Sequence, residues 1–384
     1  MKKETKEKAA LNPVVGATEE QQTQNESKQS IANEKVVGNT KPPEIHGVMA
    51  DSSARLAGLE IMSMAELYDS SFPPRVPIID GLLNCGTYLF VGAPKVGKSF
   101  FMAQLAFHVA TGTPLWEYPT RQGSVLYLAL EDDYARLQQR LSMMFGDEET
   151  DKLFLATRAG TIKEGLDNQI EAFVKEYPDA RLIIVDTLQK VREVGEEKYS
   201  YANDYENITK FKEFSDKNGL CILIVHHTRK LESSDSFEMI SGTNGLLGAA
   251  DGAFFLYKKK RTDNEAILDI TGRDQQDQQL TLERDLETCI WKLTKAENEI
   301  FKPKADPVLE AIALFLKNEK HWEGIASELM TAVPILGDLI PANVLTRRLN
   351  VNRTNLYKEY GVCYEPMQRT SDRKPFSLKL VESE

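Results

Sequence analysis

The stretch Gly92–Ser99, GAPKVGKS, decides how the rest of the chain is read. It satisfies the spacing G-x-x-x-x-G-K-[ST], in which glycines let the backbone turn so that successive N–H groups face an anion. Upstream lies TYLFV (Thr87–Val91), a short apolar run of β-formers and an expected buried strand. Downstream, Phe101, Leu105 and Val109 recur at i, i+4 and i+8, so a helix is expected over Lys98–Thr111 with Gly112 as its stop. Strand, glycine loop and helix N-terminus together form a phosphate nest. Lys98 is expected to reach the β- and γ-phosphates of ATP and Ser99 to hold Mg²⁺. Gly92, Ala93, Pro94, Lys95, Val96, Gly97 and Phe100 complete the expected cradle.

Composition sets the frame. With 384 residues, 41% hydrophobic and 27% charged, the chain can bury a large core and is expected to hold two folded domains. A net charge of −11 excludes a broadly cationic nucleic-acid coat, so any such contact must come from local patches. Cys85, Cys221, Cys289 and Cys363 are far apart and form no CxxC pair, which favours reduced core thiols over metal ligands. There is no apolar run near 18 residues and no signal-peptide pattern, so the expectation is a cytoplasmic protein with no membrane partner.

Residues 1–60 are rich in Lys, Glu, Gln, Ser and Thr and are expected to be a disordered tail. From residue 61, a short helix leads into an extended stretch that Pro73, Pro74 and Pro77 keep from continuing as helix. Beyond the phosphate loop, strands and helices alternate. SVLYLAL, ARLIIVDT and LCILIV are continuous apolar runs separated by helical patterns, the mark of a parallel sheet covered on both faces. After residue 253, AFFLYKKK, AILDITG, QLTLE and CIWKL read as antiparallel strands extending that sheet. The expected fold class is α/β, a RecA-like core over residues 61–300. A small α+β winged-helix-like domain is expected over residues 301–384, from three helices and a hairpin.

Ligands in such sheets sit at the carboxyl ends of the strands. Asp186, at the end of RLIIVD, is placed to hold Mg²⁺ directly or through water, and equally suits a helix N-cap. Glu131 ends the second strand, where a carboxylate can activate water; Asp132 and Asp133 suit the first turn of the next helix. His226 and His227 end the fourth strand, as a γ-phosphate sensor or as structural histidines.

GAPKVGKS, VLYLALED, LIIVDT, IVHHTRK and SGTNGLLGAAD together resemble the RepA-type helicases of plasmids, within the AAA-domain, RecA-like ATPases of phages, plasmids and other mobile elements. The resemblance covers roughly residues 61–300. It implies a hexameric ring, a homo-oligomer that moves on single-stranded DNA using ATP, with a replication initiator or primase as a partner. It assigns Lys98, Ser99, Glu131, Asp186 and His227 to the phosphate, Mg²⁺, catalytic-glutamate, second-acid and sensor positions. Arg140 matches an arginine that lies against the adenine base, or is an ordinary helix arginine. Where the family can carry an arginine after the Gly-Ser stretch, this chain has Asp251. Arg273, after AILDITG, is the candidate for the arginine that completes a neighbour's site, or is a turn residue paired with Asp274. Arg229 and Lys230 are candidate DNA contacts in a loop facing the ring's pore. Arg347, Arg348 and Arg353 on the third C-terminal helix, with Arg369, Arg373 and Lys374 on the wing, grip a DNA backbone or belong to a docking surface for protein. The competing function is a regulatory or recombinase-like ATPase stimulated by DNA but without unwinding activity.

Overall fold

The structure, a computed structural model, describes residues 54–56, 59–72, 75–192, 201–227, 244–297, 305–368 and 374–381. Two three-residue strands, β1 (Ala54–Leu56) and β2 (Leu59–Ile61), pair as a hairpin inside the stretch expected to be tail. Helix α1 (Met64–Asp69) follows. It is opened by a capping box in which Ser63 and Glu66 satisfy each other's backbone N–H groups.

Alternation of strand and helix then builds the core in chain order. It runs β3 (Gly86–Gly92), α2 (Lys98–Thr111), β4 (Val125–Ala129), α3 (Tyr134–Phe145), β5 (Leu153–Ala156), α4 (Leu166–Glu176) and β6 (Leu182–Asp186). Next come α5 (Leu188–Val191), α6 (Tyr201–Asn218), β7 (Cys221–His227), α7 (Asn244–Ala249), β8 (Gly252–Tyr257), β9 (Glu265–Gly272), β10 (Gln275–Arg284) and β11 (Trp291–Ala296). These strands form one nine-stranded sheet in the order β11-β10-β9-β8-β3-β7-β6-β4-β5. The fold is the expected RecA-like α/β core.

Two details differ from the sequence reading. β5 is an additional parallel strand, paired with β4; its four half-buried residues are too short a run to stand out as a strand. β8 is parallel to β3, not antiparallel, because the connection through α7 returns the chain to the sheet's amino edge; reversal begins at β9.

Period-two alternation divides the buried residues between the two faces of the sheet. From β3, Tyr88 and Phe90 join α2, α3 and the antiparallel strands, while Leu89 and Val91 face α4, α6 and α7. The antiparallel extension is fastened to α2 by a buried polar pair. Gln104 accepts the Trp291 N–H at 2.8 Å and donates to the Trp291 carbonyl at 2.9 Å, and Trp116 Nε1 donates to that same carbonyl at 2.7 Å.

The C-terminal residues carry their own apolar core, centred on Ile312, Leu316, Leu345, Leu356 and Phe376. In order they form α8 (Pro307–Glu319), β12 (His321–Gly324), α9 (Ala326–Ala332), α10 (Ile335–Leu339), α11 (Ala342–Val351), α12 (Arg353–Tyr360), β13 (Val362–Pro366) and β14 (Phe376–Leu380). Asp306 caps α8 and Pro307 opens it. The segment HWEG forms strand β12, paired with β14 outside the hairpin. Alternation explains this, since Trp322 turns inward onto Phe376 while His321 and Glu323 face solvent. The long third helix breaks at Asn352, and the order is helix, strand, four helices and a two-stranded hairpin.

Replacing Gln104 with Leu keeps the volume but leaves the Trp291 N–H without its partner. Gln104→Leu is expected to lower stability by about 1–3 kcal/mol in urea titration of the full chain. An unchanged midpoint would show that this pair does not hold the extension.

Candidate active site

Strand register brings the site together. Gly92 lies level with His227 on β7, and Asp186 level with Ala129 on β4, so the ends of four strands share the sheet's carboxyl edge. Ala93, Pro94 and Lys95 form the exposed crown of the loop, and Val96, Gly97 and Lys98 are buried at its base. Gly97 has φ 113°, and a Cβ there would stand 2.7 Å from the Trp291 ring. A Cβ on Gly92 would meet the Leu256 carbonyl at 2.4 Å. Both glycines are therefore required by close approach as well as by the turn.

Lys98 is 5% exposed. Its Nζ donates to the Gly92 carbonyl at 2.8 Å and the Ala93 carbonyl at 3.0 Å, and lies 3.0 Å from His227 Nδ1. These contacts use all three ammonium hydrogens. With Lys98 as donor, His227 accepts at Nδ1 and carries its proton at Nε2, which lies 3.9 Å from Glu131 Oε2. Burial pushes the Lys98 pKa down to about 8. Burial and the adjacent ammonium push His227 down as well. The histidine pair separates as strand alternation requires: His227 joins the site and His226 is buried within the fold.

Asp186 is buried, and burial raises its pKa against the opposing pull of two hydrogen bonds. Its Oδ2 accepts from Ser99 Oγ at 2.9 Å and from Tyr127 OH at 3.0 Å. In an octahedron with bonds near 2.0–2.1 Å, adjacent oxygens stand about 2.9 Å apart. Ser99 Oγ and Asp186 Oδ2 thus have a spacing that suits neighbouring ligands of one Mg²⁺. Glu131 is half exposed and accepts from Thr187 Oγ1 at 3.3 Å. Asp133 is the N-cap of α3, and Asp132 is bound by Arg140 at 2.6 Å. Arg140 also lies over the Phe100 ring, 5.1 Å from its centroid.

Asp251 is a structural residue. Its carboxylate accepts the Thr87 N–H at 2.9 Å and pairs with Lys212, tying α6 to the start of β3. Arg273 donates to the Gly248 carbonyl at 2.9 Å, not to Asp274. Strand register sets its neighbour Gly272 level with Tyr88, about 13 Å along the strands from Gly92, and Arg273 lies one residue beyond. Arg273 therefore cannot serve its own phosphate loop.

Among the expected DNA contacts, Arg229 and Lys230 lie outside the described residues, as do Arg369 and Arg373. Arg347, Arg348 and Arg353 are engaged within the chain. Asp69 accepts from Arg347 Nε at 2.5 Å and lies 3.4 Å from Lys374 Nζ, and the arginine beside it holds its carboxyl below the usual range. Asp306 binds Arg348 at 2.8 Å, and Arg353 donates to the Phe72 carbonyl at 3.0 Å. The segment Tyr68–Phe72 thus lies against the face of α11 and α12 that carries Arg347 and Arg353. A cleft of about 360 Å³ between α4 and α6 lies on a helical face of the sheet and contains none of the residues named here.

Tyr127 and Thr187 went unread in the sequence. Tyr127 sits inside an apolar strand, and only its register beside β6 turns its hydroxyl toward Asp186. No helix among the described residues is long and apolar enough to cross a membrane.

Residues 53–233 match the family model described as AAA domain. No curated protein matches the chain. Among solved structures, a DnaB-like replicative helicase, described with its interactions with primase, is similar at 13% identity and TM-score 0.45, covering 54% of this chain and 57% of that one. A KaiC-like protein from the hyperthermophilic archaeon Pyrococcus horikoshii OT3 is similar at 14% identity and TM-score 0.43, covering 59% of this chain and 99% of that one.

The depressed Lys98 pKa has a pH signature. Above 10.5 the lysine is neutral whether folded or unfolded and carries no penalty; below about 8 it is charged in both states and the burial penalty is complete. Without nucleotide, the stability of the wild type relative to Lys98→Met is therefore expected to rise between pH 8 and 10.5. Urea midpoints of both proteins at the two ends of that window check the sign, and a flat difference would contradict the desolvated ammonium.

Proposed function

We propose that this chain, a P-loop ATPase whose residues 53–233 form an AAA domain, is an ATP-dependent DNA helicase or translocase serving replication of a mobile element. The observation that carries the reading is the convergence of Lys98, Ser99, Asp186, Glu131 and His227 on one sheet edge. A protein that merely bound DNA would need no carboxylate poised beside a phosphate nest.

In this reading the phosphates take over the Lys98 ammonium from the Gly92 and Ala93 carbonyls. Ser99 and Asp186 would hold Mg²⁺, which would supply counter-charge for the phosphates. Glu131 orients and deprotonates water. His227, between Lys98 and Glu131, reports the state of the γ-phosphate to the loop after β7. Arg273 acts on a neighbouring subunit's nucleotide in a ring, a role supported by its distance from its own loop. Single-stranded DNA is the track, and an initiator or primase is the expected partner in the cytoplasm. Residues 61–300 are the motor and 301–384 a separate binding unit.

Full-length protein is expected to hydrolyse ATP faster with single-stranded DNA and to displace a strand from a forked duplex. Glu131→Gln should still bind a fluorescent nucleotide while turnover collapses, and Lys98→Ala should lose both. Stimulation without displacement would favour the regulatory or recombinase-like alternative. Absence of stimulation would remove DNA from the reading altogether.

The C-terminal face bears on the same question. If Arg347 and Lys374 meet DNA, they must first leave Asp69. Asp69→Asn is then expected to tighten single-stranded DNA binding several-fold at most in low salt, since such pairs are partly solvated. Fluorescence anisotropy reads this, and unchanged affinity would assign the surface to protein docking.

A further inference from the structure

Asp186 is 5% exposed, and the direction of a carboxylate so deeply buried is set by the hydrogen bonds it accepts. Two hydroxyls donate to the same oxygen, Oδ2: Ser99 Oγ at 2.9 Å and Tyr127 OH at 3.0 Å. Tyr127 lies in the middle of β4, fully buried in an otherwise apolar strand. Register places Ala129 level with Asp186, so Tyr127 stands two residues back on the same face. That is about 6.6 Å along the strand, and Ala129 between them contributes only a methyl group. A phenol spans this gap, whereas serine or threonine would fall short. Phenylalanine would fill the volume and suit the apolar strand, so packing alone does not call for the hydroxyl.

The second acid is held by a different donor. Glu131, four residues after Tyr127, accepts from Thr187 Oγ1 at 3.3 Å, and Thr187 directly follows Asp186. Each acid thus accepts a hydroxyl from the segment that carries the other. The hold on Asp186 can therefore be removed without touching the hold on Glu131.

Each oxygen of an ionised carboxylate has two lone-pair sites. On Oδ2 these serve Tyr127 and Ser99. A cation bound by both Ser99 and Asp186 would take the place of the bond between them, and Tyr127 would be the donor remaining on that oxygen. We infer that Tyr127 is a positioning residue for the metal site, its hydroxyl holding Asp186 Oδ2 beside Ser99 Oγ so that the pair can meet Mg²⁺ without rearranging. The inference rests on the nucleotide-binding reading and deepens it. Loss of a hydrogen-bond partner behind a metal ligand typically costs roughly 10–100-fold in metal affinity.

In the test, Mg²⁺ is titrated into full-length wild type, Tyr127→Phe and Tyr127→Met in the presence of a fluorescent ATP analogue. The analogue is then titrated separately in EDTA. Both variants lack the hydroxyl but pack differently, and each is expected to need about tenfold more Mg²⁺ for half-saturation. Affinity in EDTA should match the wild type, because the loop's N–H groups and Lys98 are untouched. An unchanged Mg²⁺ requirement in both variants overturns the inference. So does an equal loss of affinity with and without Mg²⁺, which would make Tyr127 a packing residue. In an Asp186→Asn background, adding Tyr127→Phe should shift the Mg²⁺ requirement little further. A full second shift of the same size would show that the hydroxyl acts elsewhere, and would overturn the inference too. These results leave the nucleotide site itself standing, whereas a wild type that binds no analogue with or without Mg²⁺ removes both. Urea midpoints of the nucleotide-free variants show that each is folded, and the Phe form suffices if the Met form unfolds early.

Discussion

The absence of a side chain at Gly97 is the constraint on which the rest depends. Its left-handed φ of 113° lets the loop close into the N-terminus of α2, and the space a Cβ would fill is occupied by the indole of Trp291. Three things are fixed at once: the direction of the loop's N–H groups, the axis of α2, and the docking of a strand that arrives nearly two hundred residues later. Gln104 and Trp116 then secure the Trp291 backbone. Without that contact the antiparallel strands would be a solvated continuation of the sheet. With it they form one wall of the site.

The electrostatics of the edge follow from the same burial. Desolvation pushes the Lys98 ammonium toward neutrality and the Asp186 carboxyl toward protonation, so both groups are held against their preference for charge. Hydrogen bonds from Ser99 and Tyr127 counter the shift at Asp186, and the loop's own carbonyls occupy Lys98. A polyphosphate with its cation supplies the missing counter-charges to both groups. That is why a site can be tense in the free protein and still be a strong receptor.

Much of this was legible in the sequence because it is local. The nest depends on spacing within eight residues, and Asp186, Glu131 and His227 were readable as strand ends from runs of apolar residues bounded by polar ones. What escaped depends on contacts between distant segments. The direction of β8 is set by the α7 connection, β12 by its pairing with β14, and Tyr127 by register against β6. The C-terminal arginines illustrate the same limit. Their helix was readable, but no periodicity reveals that Asp69, nearly three hundred residues earlier, lies between Arg347 and Lys374.

The position of Arg273 follows from the same strand register. β9 runs antiparallel to β8, so the turn that follows it emerges at the amino edge of the sheet, while every group of the phosphate site stands at the carboxyl edge. A side chain of arginine length cannot cross that separation. Arg284, by contrast, lies on the strand leaving that turn and reaches the carboxyl edge at its far end, beside Phe100. The single hairpin of β9 and β10 thus has one arginine at each edge of the sheet.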